Sequence, residues 1–210
     1  VRFDMPGHGQ SPIPAEGFTI EEIADALVAK ADELGVEKFD YAGVSVGGAI
    51  ALELANKYPD RIKHSIVVCS APYMGGPEGW VERINQVNAG GTASLVPMLP
   101  ARWFSDGFIA KSPEAVQKVL SSVVATDDAS YIKTCEALGT FDARPFLSDI
   151  TVPVLVISGE IDPGSPPAAG AIIADGVPGA QQVVIPGASH QAVVEAPLEV
   201  AKTLVTFLDS

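Results

Sequence analysis

Apolar positions along the chain change period several times, and each change marks an element. Val1–Asp4 reads as the last residues of a strand, followed at once by the turn-rich stretch Met5–Gly17. Ile20, Ile23, Ala24, Leu27, Ala31 and Leu34 then fall on one helical face. Thr19 and Glu22 form a capping box at its start, Phe18 can staple onto Ile23, and Gly35 suits the C-terminal cap. Phe39–Ser45 is a short strand, and Val46–Pro59 is a helix apolar nearly all round, as expected of one packed deep against a sheet. A further strand covers His64–Ala71. From 72 to 147 the pattern becomes consecutive helical pieces with no convincing strand. Strand character returns in Val152–Asp162, a helix follows near Pro166–Gly176, then a strand over Gln181–His190, and a last helix opens on Pro197.

Strand alternating with helix predicts an α/β fold with a mostly parallel sheet covered on both faces. The helical stretch reads as an inserted cap, which divides the chain into core 1–71, cap 72–147 and core 148–210. At 210 residues and 47% hydrophobic content, one substantial core with such an insertion is affordable in surface-to-volume terms. The net charge of −13 argues against a general affinity for nucleic acid. No apolar run is long enough to span a membrane, and a cytoplasmic location is the default expectation. Cys69 and Cys135 have neither the number nor the spacing of a disulfide framework or a zinc site and read as buried thiols, so no metal or cofactor is expected.

Ligands on parallel sheets bind beyond the carboxyl ends of the strands, and there the chemistry-bearing residues gather. Gly43-Val44-Ser45-Val46-Gly47 spans a strand-to-helix reversal. Such a reversal strains the residue at its apex and calls for small neighbours two places away, the arrangement of a nucleophile elbow. Ser45 is the candidate nucleophile, and the N–H of Val46 one oxyanion-hole donor. A serine hydroxyl needs a base. Of the three histidines, His8 lies in a turn and His64 beside Arg61 and Lys63 on a solvated surface, which leaves His190 after the last strand. Asp162 ends the preceding strand on the same edge and is the carboxylate expected to orient it. Glu160 is its rival, while Asp142 and Asp149 belong to the cap return. The order Ser45, Asp162, His190 is that of the α/β-hydrolase fold.

The motifs FDMPGHGQS, GVSVGG, GWVERINQVNAGGTASLVPMLPARWF, VPVLVISGEIDPGSPP and IPGASHQAVVEAP make the chain resemble the α/β-hydrolase superfamily, and most closely the 3-oxoadipate enol-lactonases. The resemblance implies hydrolysis of a small enol-lactone in aromatic-compound catabolism, by a serine attack without cofactor. It also implies that roughly 50 residues, three strands and the loop with the second oxyanion donor, come before this stretch of fold. The implied substrate carries a carboxylate, for which Arg102 beside Trp103 is the candidate cap site, with Arg83 and Arg144 as rivals. Gln191 and Gly164-Ser165 depart from the family pattern and bear on substrate preference. Two other readings share these residues: a carboxylesterase of other small esters, and a non-catalytic binding module on the same scaffold.

Overall fold

The computed structural model describes residues 1–210. Its first element is helix α1, Ile20–Glu33. There the Thr19 hydroxyl accepts from the Glu22 N–H at 3.1 Å, and the Glu22 carboxylate accepts from the Thr19 N–H at 2.8 Å. Strand β1 is Phe39–Val44 and helix α2 is Val46–Lys57, with Ser45 alone between them. Strand β2, Ile62–Val68, leads into five helices: α3 (Val81–Gly90), α4 (Leu99–Trp103), α5 (Asp106–Lys111), α6 (Pro113–Val124) and α7 (Asp128–Thr140). Strand β3 (Val154–Gly159), helix α8 (Pro167–Gly176), strand β4 (Gln181–Ile185), and helices α9 (Ala192–Glu195) and α10 (Pro197–Leu208) complete the chain.

The four strands form one parallel sheet in the order β1-β2-β3-β4. Their period-2 alternation divides the apolar side chains between two faces. Val67, Val154 and Val156 join α1, α2 and α8 in a cluster of 23 buried residues. Ile66, Val68, Leu155 and Ile157 join Val200 and Phe207 of α10 in a second cluster. Every residue of β3 is buried, as befits a strand covered on both sides. The helices between β2 and β3 carry a core of their own, built on Val87, Leu95, Leu99, Phe104, Val116, Leu120 and Val123.

Three expectations are corrected. Val1–Asp4 is no strand, because no neighbour offers these residues a ladder; Asp4 instead accepts from the Gln10 N–H at 3.0 Å. The buried face of α1 takes in Val28 rather than Leu27 and Leu34, and Leu34 is 51% exposed. Both leucines line a groove beside the outer edge of β1, with Phe39, Tyr41 and Ile50 on its other wall. The strands also stop short of the expected limits: β2 at Val68, β3 at Gly159 and β4 at Ile185. Past these ends Cys69–Ala71 and Ala188–His190 stay buried, while Glu160, Ile161, Pro186 and Gly187 are exposed; the N–H groups of Cys69 and Glu160 still donate to the Ile157 and Ile185 carbonyls at 2.7 and 3.1 Å.

Candidate active site

Ser45 sits where β1 turns into α2, at φ 55° and ψ −112°, in a region that side chains seldom enter. Two contacts over-determine it. Its N–H donates to the Val68 carbonyl at 2.9 Å, and its own carbonyl accepts from the Ser70 hydroxyl at 2.8 Å. A Cβ on Gly43 would lie 2.2 Å from the backbone of Gly47, so glycine is obligatory there. A Cβ on Gly47 would meet only the Tyr41 hydroxyl, at an ordinary 3.9 Å. The second sterically required glycine is Gly48, where a Cβ would meet Ser70 Cβ at 2.5 Å. The elbow therefore depends on Gly43 and Gly48, and Gly47 contributes by the closeness of its backbone.

His190, 8% exposed, and Asp162, 2% exposed, lie on the loops after β4 and β3. The His190 Nδ1–H donates to Asp162 Oδ2 at 2.8 Å, which directs Nε2 away from the carboxylate and leaves it free to accept a proton. Asp162 Oδ1 accepts from the N–H groups of Gly164 at 2.8 Å and Ser165 at 3.0 Å. Burial pushes this carboxyl up, but the His190 hydrogen bond and charge and the two backbone donors outweigh burial. Asp162 is held below the ordinary carboxylate range. The rim is continuous: Cys69, at φ 45°, follows β2 and sets its Sγ 3.8 Å from the Ser189 carbonyl, while Ser70 holds Ser45. The Ser45 hydroxyl makes no side-chain cap hydrogen bond to α2. Val46 opens α2, so its N–H is among those that a helix leaves without an internal partner.

The rival residues are engaged elsewhere. Glu160 accepts from the Gly187 N–H at 2.7 Å. His8 Nδ1 donates to the Pro6 carbonyl at 3.0 Å within its turn, and His64 pairs with Asp40 at 2.7 Å. Arg144 is committed to Asp142 at 2.6 Å and lies over the Tyr73 ring. Trp103, half-buried at the end of α4, accepts from the Gln191 N–H through its carbonyl at 2.9 Å, which brings α4 against the residue after His190. Arg102 is exposed. Burial raises the Tyr131 phenol, while the charges of Arg83 and Arg102 both reach it and pull the other way. Arg83 also lies over the Trp80 ring. Sequence reasoning missed Gly48 and Ser70, whose parts depend on approaches between separate segments.

The family model for the alpha/beta hydrolase fold matches residues 1–197. The chain belongs to the α/β-hydrolase family. Among its relatives, this hydrolase is 33% identical over 197 residues to 3-oxoadipate enol-lactonase 2 of Acinetobacter baylyi, covering 94% of this chain and 73% of that protein. It superposes on the enol-lactonase from Burkholderia xenovorans LB400 with a TM-score of 0.95 at 33% identity, over 99% of this chain and 79% of that one. A thermophilic esterase from Thermogutta terrifontis matches at TM-score 0.92 and 26% identity, over 98% of this chain and 78% of that one. The hydrolase has no group of three or more His, Cys, Asp or Glu arranged to hold a metal ion, and no helix long and apolar enough to cross a membrane.

Proposed function

We propose that this α/β hydrolase opens a small enol-lactone, of the type of 3-oxoadipate enol-lactone giving 3-oxoadipate, through an acyl-enzyme on Ser45. The observation that carries the proposal is the buried Asp162–His190 pair at 2.8 Å on the rim where Ser45 is held in its strained turn. Similarity to enol-lactonases at 33% identity supports the choice of substrate.

In the first half-reaction the Ser45 oxygen adds to the lactone carbonyl as His190 Nε2 takes its proton. The oxyanion so formed is stabilised by the Val46 N–H. Collapse breaks the ring C–O bond, and the departing enolate takes the proton from His190 and tautomerises to the ketone. In the second, water loses a proton to His190 as it attacks the acyl carbon, and Ser45 regains its hydroxyl proton when the carboxylic acid leaves. Asp162 remains ionised throughout and stabilises the imidazolium. Residues 72–147 act as the cap over this rim. Arg102 and Trp103 receive the substrate carboxylate, with Arg83, whose charge also reaches Tyr131, as the second candidate; a local positive group has to offset a chain charge of −13.

A carboxylesterase reading is favoured by the match to the thermophilic esterase. Turnover of the enol-lactone against that of an aryl acetate separates the two: a wide preference for the acetate ends the lactonase assignment. A serine-reactive fluorophosphonate should label Ser45, and His190→Ala should abolish the labelling; an unlabelled protein would mean a non-catalytic binding module instead.

A further inference from the structure

Glu195 ends the short helix α9 and holds two segments that are 84 residues apart in the chain, Ser105 and Ser189. Its Oε1 accepts from the N–H of Ser189, the residue before His190, at 2.7 Å. Its Oε2 accepts from the Ser105 N–H at 2.9 Å and the Ser105 hydroxyl at 2.5 Å. Ser105 is the N-cap of α5 and follows Trp103 and Phe104, the latter 1% exposed in the cap core. The Gln191 N–H bond to the Trp103 carbonyl runs parallel to this bridge at 2.9 Å. Packing repeats the pattern: Ala192 of α9 belongs to the cluster on one face of the sheet, and Val194 packs against the cap cluster.

We propose that Glu195 is a positioning residue that holds the His190 loop in register with the cap. The inference rests on the reading of His190 as the base. Ser189 is 2% exposed, and the Glu195 carboxylate is the acceptor for its N–H, so removing that carboxylate leaves a buried donor unpaired. The loop relieves this by shifting, and a shift there moves the imidazole next in the chain. A carboxylate suits the task because its two oxygens serve two segments at once, with charge-assisted bonds on both sides. An amide offers one acceptor and therefore holds one segment only.

The test compares wild type, Glu195→Ala, Glu195→Gln and Ser105→Ala. Three measurements are made: kcat and KM on an aryl acetate, the rate at which a fluorophosphonate labels Ser45, and amide exchange over 187–191 and 103–106. In Glu195→Ala, kcat and the labelling rate should fall together by about 10- to 100-fold with KM changed less than about threefold, because a displaced base slows the step without weakening binding. Exchange should quicken in both segments together. Glu195→Gln should fall between this variant and wild type, and Ser105→Ala should lose only about two- to fivefold, since it keeps its backbone bond. If Glu195→Ala gives no cooperative melt, the two milder variants decide by the same ordering. Faster exchange with kcat and labelling within about twofold of wild type makes Glu195 a structural clip and overturns the positioning role. A wild type that is not labelled at Ser45 overturns the hydrolase reading itself, a result distinct from any contrast among the Glu195 variants.

Discussion

Asp162, on the loop after β3, and Glu53, in the middle of α2, are both drawn out of water, yet their proton affinities move in opposite directions. Burial raises each. At Asp162 the His190 imidazole and two backbone N–H groups outweigh it, and the carboxyl is lowered. At Glu53 the neighbours are Glu21 and Asp25 across the α1–α2 contact, which add to burial, while Lys57 opposes them. The carboxyl is pushed up to about 7. Lys57 is already bound to Glu21 at 2.6 Å and Asp25 at 2.7 Å, and no hydrogen-bond donor reaches Glu53. Donors, and not depth, therefore set the direction. The carboxyl rim of a parallel sheet supplies them, because loops there turn backbone N–H groups inward; the flank between two helices presents side chains only, here mostly of one sign.

The sharpest break of this contrast is to remove the donor-acceptor match at the rim. Asp162→Asn keeps the shape but offers the His190 ring an amide, which favours the wrong tautomer. Turnover should drop by about 10⁴-fold, or about 5 kcal/mol of transition-state stabilisation, with the fold retained. Steady-state kinetics beside a thermal melt measures both; a loss below tenfold would remove Asp162 from the mechanism. Next in size is Gly43→Ala. Its new methyl would meet the Gly47 backbone at 2.2 Å, and a backbone cannot rotate aside as a side chain can. Denaturant unfolding should show a loss of about 3 kcal/mol, at the upper end of overpacking costs. Gly47→Ala, whose Cβ would meet only the Tyr41 hydroxyl at an ordinary 3.9 Å, should leave stability unchanged or raise it by up to about 1 kcal/mol, because alanine favours the helix that glycine disfavours.

These two regions also differ in how far the sequence disclosed them. Ser45, His190 and Asp162 can be singled out from the sequence because elbow spacing, strand ends and the scarcity of histidines are all local or countable, and the structure brings Asp162 and His190 into a hydrogen bond. The paired order of strands and helices was legible for the same reason, since period changes need no knowledge of neighbours. Glu195 and Ser70 were not, because each acts across a gap in the chain that no spacing encodes: Ser70 reaches Ser45, and Glu195 reaches Ser105. Gly48 was hidden in the same way, its need for a bare Cα arising from Ser70 in the loop after β2 rather than from the turn it helps form. The outward lean of Leu27 and Leu34 is the converse case. Their helical spacing is that of buried residues, but the space they face is the groove along β1, so periodicity alone overstated their burial.

Glu53 offers the smallest and most discriminating effect. Its carboxyl is near 4.5 in the unfolded chain and about 7 in the folded one, so the folded state holds a proton more tightly than the unfolded state. The sign follows: stability from this group is complete below pH 4.5 and is lost as the pH rises through 7. Glu53→Gln removes the titrating group and should abolish that loss, leaving the variant more stable than wild type at pH 8 and nearly equal to it at pH 5. The side chain is only half-buried, so solvent screening reduces the gain to about 1 kcal/mol. Urea unfolding at both pH values measures it. Asp25→Asn takes away one of the two raising charges but also frees Lys57 to turn toward Glu53, and should recover part of the same gain. An equal difference between wild type and Glu53→Gln at both pH values would show that the α1–α2 flank leaves Glu53 as well solvated as any surface carboxylate, and the contrast with Asp162 would then be one of pairing at the rim alone.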